Sequence, residues 1–256
     1  MTARQPLGSI MVKRSLAPTL EVATELVAAG RVLVNGSIAM SSAHQVAPND
    51  SILVTNPPRF VSRGGEKLQA AIEQFDLDFS GKSVLDAGAS TGGFTDCALQ
   101  VGADHVTAID VGRSLLHERI ANDPRVAVVE EFNVRQLANP LTNSNIRAHY
   151  DIVLADLSFI SLTAVANALC SRVAENGLLV LLVKPQFEAE KSEVNRGSGV
   201  ITDPVIHERT CAKVIDAYRQ CGCDVIGIIP SPIRGASGNT EFLLCLRRIA
   251  SLVNQA

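Results

Sequence analysis

The stretch SVLDAGASTGGF, residues 83–94, joins an apolar run to a glycine-rich turn and then to the start of a predicted helix. Glycines at such a turn let a ligand approach the backbone closely, and the helix N-terminus beyond them carries a positive dipole end. The spacing is GxxxGG, not the GxGxxG of dinucleotide sites. The turn therefore favours a nucleotide-like ligand over a purely structural role. Its candidate contacts are Asp86, Gly88, Ser90, Thr91, Gly92, Gly93 and Phe94.

Six further apolar segments follow this turn, with predicted helices between most of them. Continuous β-branched runs of this kind are typical of a parallel sheet that is covered on both faces. The last two segments are joined by residues 231–240, which leave no room for a helix, so these two strands should pair antiparallel. The sequence predicts an α/β fold with a doubly wound, mostly parallel, seven-stranded Rossmann-like sheet and an antiparallel terminal hairpin. The six segments are HVTAID, VAVVEE, YDIVLAD, LLVLLVKP, DVIGIIP and EFLLCLR.

Residues 1–56 have the pattern of a separate, small α+β domain. A first helix is predicted near the N-terminus, and Thr19 can cap a second one. Asn35-Gly36, between two short apolar runs, is a strong signal for a type I′ hairpin. The apolar stripe predicted for the second helix consists of Leu20, Ala23, Leu26 and Val27.

The boundary between the two parts is predicted at a proline pair, Pro57-Pro58, with a linker over residues 57–63 and a larger domain over 64–256. The first helix of that domain follows SRGGEKL, residues 62–68, and places Lys67 one position from its apolar stripe. Taken alone, Lys67 is best interpreted as a solvated surface lysine.

Composition excludes several classes of protein. No segment of the 256 residues approaches the ~20 apolar positions that span a membrane. The N-terminus has no continuous apolar stretch of the kind found in signal peptides, so a cytoplasmic protein is expected. The six cysteines form no CxxC pair, which favours reduced thiols and no metal site.

The charge is unevenly distributed along the chain. Residues 1–67 contain seven basic and four acidic side chains, a net charge of +3, so the total of −3 leaves −6 for the remainder. A weakly basic front on an acidic body suggests that any polyanion is bound by the front.

Charged residues also end several predicted strands. Asp110 ends the second strand, Asp156 the fourth and Lys184 the fifth, while Glu241 opens the last. Each could be a solvated strand end. Asp156 and Lys184 nevertheless close adjacent strands beside the glycine turn, at the edge where open sheets bind their ligands.

Together these motifs resemble the TlyA family, also called hemolysin A, whose catalytic part is similar to the FtsJ-like ribosomal RNA 2′-O-methyltransferases. The resemblance covers residues 60–246. The N-terminal LAPTLEVATELVAAGRVLVNG looks like a small RNA-binding domain, but Pro6-Leu7-Gly8 stands where Arg-Leu-Asp usually opens its first helix. The first helix is therefore expected to be altered. The matching segments are SRGGEKL, DAGASTGGFTDC, AIDVG, ADLSFISL, VKPQFE, DPVIHE and SPIRGASGNTEFLL.

The resemblance implies a Lys-Asp-Lys-Glu tetrad at Lys67, Asp156, Lys184 and Glu241. It overturns the surface interpretation of Lys67. Lys184 would either accept the proton of a ribose 2′-hydroxyl or supply a fixed positive charge. The implied activity is S-adenosylmethionine-dependent methylation of ribosomal RNA, with ribosomal RNA or ribosomal subunits as partners.

For the cofactor, the resemblance implies that Asp110 binds the ribose hydroxyls, Val111 flanks adenine and Asn133 binds the adenine edge, with Asp156 also nearby. A turn asparagine that closes a strand is an equally good interpretation of Asn133. Three other functions are disfavoured: a ribosome-assembly factor without turnover, a pore-forming haemolysin and a dehydrogenase. The modified nucleotide, the subunit and the oligomeric state are left open.

Overall fold

The chain divides into two compact units. The computed structural model describes residues 4–55, 59–139, 143–235 and 237–249. Contacts between Cα atoms group Met1–Arg59 into one unit and Phe60–Ala256 into the other. Pro57-Pro58, the predicted linker signal, lies outside the described residues. Phe60, which falls within the predicted linker, is buried in the core of the second unit.

The N-terminal unit is a small α+β fold. Two helices pack together beside a three-stranded antiparallel sheet of order β3-β2-β5, and β1 pairs with β4. Its elements are β1 (Gln5–Pro6), α1 (Leu7–Lys13), α2 (Leu20–Ala28), β2 (Val32–Val34), β3 (Ser37–Ile38), β4 (Gln45–Val46) and β5 (Ile52–Val54).

Local signals in this unit act as expected, with one exception. The Thr19 hydroxyl accepts a hydrogen bond from the backbone N–H of Val22, 3.2 Å away, and so caps α2. Asn35 and Gly36 both have positive φ, +50° and +83°, as a type I′ turn between β2 and β3 requires. The predicted apolar stripe of α2 is wrong at Leu20, which is 57% exposed.

The expectation that Pro6 and Gly8 alter the first helix is wrong as far as the helix is concerned. Pro6 is the N-cap residue of α1, where its missing N–H costs no helical hydrogen bond. Gly8 lies in the first turn, and a Cβ there would stand 2.8 Å from Leu20 Cδ1. Because Leu20 is 57% exposed, the end of its side chain has room to shift, so this position accepts glycine without requiring it.

The second unit begins with a helix and continues as a strand–helix alternation. Two 3₁₀ helices, Val134–Ala138 and Leu162–Val165, lie within its loops. Its elements are α3 (Gly64–Phe75), β6 (Ser83–Ala87), α4 (Gly93–Gln100), β7 (His105–Ile109), α5 (Glu118–Ala121), β8 (Val126–Val129), β9 (Tyr150–Ala155), α6 (Ala166–Cys170), β10 (Val173–Val183), α7 (Pro185–Glu188), α8 (Lys191–Arg196), α9 (Pro204–Gln220), β11 (Cys223–Pro230) and β12 (Phe242–Arg248).

The predicted doubly wound sheet is confirmed. Its seven strands have the order β11-β12-β10-β9-β6-β7-β8. Strands β6 to β10 run parallel, and β12 lies antiparallel between β10 and β11. The chain leaves β6 towards β7 on one side and returns to β9 on the other. Such a reversal leaves a crevice at the carboxyl ends of the two strands.

Apolar residues cover both faces of this sheet, which explains its continuous hydrophobic strands. One buried cluster packs α6 and α9 against residues such as Leu85 and Leu181, and the other packs α3 and α4 against Val84 and Leu182. Five of the six cysteines are buried in the unit, and Cys221 is half-buried. Among the described residues, none of the helices has the length and apolarity that crossing a membrane requires.

The two glycines of SRGGEKL differ sharply in their surroundings. A Cβ on Gly65 would lie 2.2 Å from Phe60 Cγ, whereas the nearest side-chain atom to one on Gly64 would be Phe94 Cδ1 at 3.5 Å. Because Phe60 is buried, its ring has little room to move away. Gly65 therefore lets α3 pack against the start of the unit.

We expect Gly65→Ala to lower the free energy of unfolding by about 1–3 kcal/mol, the usual cost of overpacking a buried contact. Gly64→Ala, one position earlier in the same helix, is the matched control and should change it by less than about 0.5 kcal/mol. Urea unfolding of both variants measures the difference. Equal stabilities would contradict the packing argument.

Candidate active site

Two neighbouring cavities open at the carboxyl edge of the parallel strands. The strand-end cavity, about 450 Å³, is lined by residues that include Gly88, Ser90, Asp110, Asn133 and Asp156. The lysine cavity, about 240 Å³, is lined by residues that include Arg63, Lys67, Gly93, Lys184 and Arg234. Gly88, Ser90, Asp156 and Ser158 line both cavities, so these two sites share a wall.

The glycine turn is held by backbone constraints that only glycine meets easily. Gly88 has φ +83°, and a Cβ there would lie 2.7 Å from the Asp156 carbonyl oxygen, because β6 and β9 converge at this point. Gly92 has φ +91°, and a Cβ there would lie 2.9 Å from Leu116. A side chain at Gly92 would thus meet packed side chains, whereas Thr91, Gly93 and Phe94 line the lysine cavity.

Asp110 is fixed at the end of β7. Its Oδ2 accepts a hydrogen bond from Ser90 N at 2.9 Å and its Oδ1 accepts one from Gly112 N at 2.8 Å. Val111, next to it, is 70% exposed and lines the same strand-end cavity. Asn133 lines that cavity and also accepts a hydrogen bond from Arg135 N at 3.0 Å. The position of Asn133 therefore fits both interpretations, a contact with the adenine edge of a ligand and an asparagine that closes the turn.

Asp86 does not reach either cavity wall. It is fully buried in β6, and its Oδ2 accepts a hydrogen bond from the Thr95 hydroxyl at 2.6 Å. The other oxygen has no hydrogen-bond partner among the described residues. The pKa of Asp86 is raised to about 7, chiefly by burial; the Thr95 hydrogen bond opposes this rise, and the nearby Asp156 and Asp110 carboxylates add to it. The hydrogen bond between the Asp86 carboxyl group and Thr95 therefore joins β6 to α4 on either side of the glycine turn.

The four tetrad residues meet as two ion pairs. Lys67 Nζ lies 2.6 Å from Glu241 Oε2, and Lys184 Nζ lies 2.6 Å from Asp156 Oδ1. Both lysine side chains are only 10% exposed. Lys67, Asp156 and Lys184 line the lysine cavity, while Glu241 lies behind Lys67 and is 3% exposed. The surface interpretation of Lys67 does not fit this burial.

The loop after β9 contains functional side chains that the sequence motifs included but did not single out. Ser158 Oγ accepts a hydrogen bond from Lys184 Nζ at 2.9 Å. At the far end of the loop, Glu188 accepts hydrogen bonds from Ser161 Oγ at 2.5 Å and Leu162 N at 2.6 Å. Burial raises the pKa of Glu188. Glu188 lies in α7, which follows Lys184 directly. Its hydrogen bonds therefore connect the loop that contains Asp156 to the segment that contains Lys184.

Arg63 and Arg234 were also missed by sequence reasoning. Both line the lysine cavity and both are exposed. Arg63 stands inside the quoted SRGGEKL and Arg234 inside SPIRGASGNTEFLL, so the motifs contained them. Arg63 and Arg234 are 171 positions apart, and a separation of this size gives no sign in the sequence that both line the lysine cavity.

Comparison with known proteins gives matches for both parts of the chain. Residues 60–248 match the model of the FtsJ-like methyltransferase family, and residues 5–52 match that of the S4 domain. The 16S/23S rRNA (cytidine-2′-O)-methyltransferase TlyA of Mycobacterium tuberculosis is 42% identical over 96% of this chain and 91% of its own. Hemolysin A of Brachyspira hyodysenteriae is 39% identical over 86% of this chain and 90% of its own.

Among solved structures, a proposed hemolysin from Streptococcus thermophilus matches with a TM-score of 0.73 and 35% identity over 98% of this chain and 90% of its own. The sheet order, the glycine turn and the strand-end cavity define an S-adenosylmethionine-dependent methyltransferase. The family matches are more specific. The chain belongs to the FtsJ-like methyltransferases and, within them, to the TlyA/hemolysin A family with its N-terminal S4 domain.

The buried Asp86 makes stability depend on pH. Because its folded-state pKa is raised to about 7, the folded chain keeps a proton that the unfolded chain loses above about pH 4. Stability therefore falls as pH rises through this window and is lowest above pH 7. We expect Asp86→Asn to gain on the wild-type Tm between pH 5 and pH 8 in thermal melts.

Asp78→Asn is the control for this measurement. Hydrogen bonds from Ser80 hold the pKa of Asp78 below its ordinary value, so its contribution is lost only at still lower pH. Its Tm difference from the wild type should stay constant over the same range. Parallel profiles for all three proteins would show that Asp86 is ionised throughout.

Proposed function

We propose that this chain transfers a methyl group from S-adenosylmethionine to a ribose 2′-hydroxyl of ribosomal RNA. The proposal rests on the two lysine–carboxylate ion pairs at the lysine cavity. This cavity shares a wall with the strand-end cavity, which is large enough for a nucleoside. The relative from Mycobacterium tuberculosis bears the name of this activity. Lys67, Asp156, Lys184 and Glu241 are the proposed catalytic residues.

The strand-end cavity fits S-adenosylmethionine. Gly88 leaves the backbone open to a ligand, Asp110 presents carboxylate oxygens to ribose hydroxyls, and Val111 offers an exposed apolar face to adenine. Asn133 can contact the adenine edge. Ser90, Thr91 and Gly93, at the positive end of α4, suit the methionine carboxylate. The bound cofactor supplies a methyl group already activated on its sulfonium.

Lys184 is the residue best placed to act on the acceptor hydroxyl. Its ammonium donates to Asp156 and to Ser158, which leaves one N–H to point elsewhere. The geometry thus supports Lys184 as a fixed positive charge that stabilises the 2′-oxygen as its proton leaves, and not as the base that removes it.

The Lys67–Glu241 pair has a different part in the proposal. Lys67 lines the same cavity, and the Glu241 carboxylate holds its ammonium in one position. A second positive charge near the acceptor adds to the stabilisation of developing negative charge. Holding both lysines in fixed positions also aligns the hydroxyl for attack, and such positioning can supply several kcal/mol of barrier lowering.

The N-terminal unit is proposed as the RNA-docking domain over residues 1–56, with a linker at 57–63 and the catalytic domain at 64–256. The match of residues 5–52 to the S4 domain, together with four basic against three acidic side chains in residues 1–56, supports this role. Arg4, Lys13, Arg14 and Arg31 are the candidates for phosphate contacts, and Arg14 and Arg31 also donate to backbone carbonyls of the unit. A ribosomal substrate also supports a cytoplasmic location.

The tetrad is tested by removing one ion pair in two ways. Lys67→Met alone leaves the Glu241 carboxylate buried and unpaired, which costs about 3–5 kcal/mol of stability. Lys67→Met with Glu241→Gln removes both charges and should recover most of that loss. We expect methyl transfer to ribosomal RNA to fall by roughly 100-fold or more in both variants.

An exposed pair provides the control for this experiment. Arg219 and Asp216 are 61% and 66% exposed, and Arg219→Met with Asp216→Asn should leave both activity and Tm near the wild-type values. Full activity of the well-folded Lys67→Met/Glu241→Gln variant would remove this ion pair from the mechanism. Incorporation of labelled methyl into ribosomal subunits gives the rates.

Removal of residues 1–58 tests the docking role. The shortened chain should bind S-adenosylhomocysteine as tightly as the full chain in calorimetry, because the strand-end cavity lies within the second unit. Its kcat/KM for ribosomal RNA should fall, and the remaining activity should depend less steeply on salt. Equal kcat/KM for the two chains at every salt concentration would rule out docking by the N-terminal unit.

A further inference from the structure

We propose that Arg63 and Arg234 form a phosphate-binding subsite at the mouth of the lysine cavity, where they hold a phosphodiester next to the acceptor ribose. This inference rests on the proposed function, since it assigns the RNA strand a position in the acceptor site. The ligand group is a phosphodiester of single-stranded RNA.

The two arginines are held beside each other by the backbone. Arg63, just before α3, donates from Nη2 to the carbonyl oxygen of Arg234 at 2.5 Å. Arg234 donates from Nη1 to the carbonyl oxygen of Gly238 at 3.2 Å. Each guanidinium has further N–H donors beyond these contacts. The contacts therefore fix both side chains at the cavity and leave donors for a ligand.

The charges that line the lysine cavity explain why its mouth attracts an anion. Four cationic side chains line the lysine cavity, and the two lysines are each neutralised by a carboxylate. Arg63 and Arg234 have no acidic ion-pair partner within the described part of the chain. The cavity thus has a surplus of two positive charges, although residues 68–256 have a net charge of −6. Such a local surplus on an acidic body attracts polyanions.

Two helix ends add to this positive potential. Gly64 begins α3 and Gly93 begins α4, and both line the cavity. The two glycines lie close together, because a Cβ on Gly93 would stand 3.1 Å from the Gly64 Cα. The positive dipole end of α3 therefore lies beside the arginines, next to the α4 end that is proposed to hold the methionine carboxylate.

A phosphodiester fits this subsite better than the methionine end of the cofactor. The methionine end has one carboxylate and one ammonium group, so it has no net charge to balance two guanidinium groups. A phosphodiester adjoins every ribose in RNA, and arginine binds phosphate oxygens through its planar, forked donors. The acceptor hydroxyl and its neighbouring phosphate would then occupy the inner and outer parts of one cavity.

The test uses the full chain with Arg63→Met and Arg234→Met combined, and Arg63→Lys with Arg234→Lys as the charge-preserving pair. We expect the methionine pair to lower kcat/KM for ribosomal RNA at least ten-fold. The slope of log kcat/KM against log salt concentration should become less steep by about one. The lysine pair should keep most of that slope. Arg219→Met is the control, since Arg219 lies in the last turn of α9, near the start of β11 at the opposite edge of the sheet.

Cofactor binding distinguishes the two sources of an anion. Affinity for S-adenosylhomocysteine should be unchanged in the methionine pair, which also shows that the variant is folded. If that affinity falls while affinity for 5′-methylthioadenosine, which lacks the carboxylate, stays the same, the arginines bind the cofactor and the proposal is overturned. An unchanged salt slope with wild-type kcat/KM overturns it too.

Equilibrium binding separates this proposal from the proposed function. A fluorescent, mixed-sequence single-stranded oligoribonucleotide should bind the methionine pair more weakly than the wild type in anisotropy titrations, with the lysine pair in between. This measurement does not depend on turnover. A wild-type chain that methylates no ribosomal RNA would refute the proposed function, whereas equal oligoribonucleotide affinities would refute the phosphate subsite.

Discussion

The contact between Lys67 and Glu241 joins residues 174 positions apart and depends on how the last strand is inserted. Phe242 opens β12 opposite Val183, the last residue of β10. Because β12 runs antiparallel, its first residues lie where β10 ends, and Glu241 arrives beside Lys184. A parallel last strand would deliver Glu241 to the opposite edge of the sheet. The terminal hairpin is therefore part of the site as much as of the fold.

Buried charges of this kind are costly, and the site offsets the cost by pairing. Each lysine has a carboxylate at 2.6 Å, so neither ammonium is left alone in a poorly solvated place. Asp86, which has no such cation, has its pKa raised to about 7 by the same lack of water. Asp86 thus lacks the partner charge that each lysine obtains from its carboxylate. Paired and fixed, the two lysines are ready before any substrate binds.

Much of the fold could be predicted from the sequence because its signals are local. Apolar runs, the Asn35-Gly36 turn and the short connection between the last two strands each follow from a few adjacent residues. Leu20 was misassigned because helical periodicity does not state how wide the buried face is. The expectation for Pro6 and Gly8 is wrong because proline at the N-cap and glycine in the first turn do not prevent a helix from starting.

The site was harder to predict, since its contacts join distant segments. Spacing alone placed Asp156 and Lys184 together, because both end neighbouring parallel strands. Lys67 needed the family pattern, as no local signal marks a helical lysine that will be buried. Ser158 and Glu188 stood inside recognised motifs but showed their roles only through hydrogen bonds across the loop.

The larger unit is acidic overall, so its few positive sites determine where RNA is attracted. An acidic surface repels RNA in general, so attraction is confined to places where cations are concentrated. In our proposal the N-terminal unit, whose residues 1–59 contain five basic and three acidic side chains, is one such place, and the mouth of the lysine cavity is the other. Docking by the first increases the local concentration of RNA without choosing a nucleotide. The nucleotide is then selected at the lysine cavity, where an RNA strand must present its phosphate and its 2′-hydroxyl to one cavity at the same time.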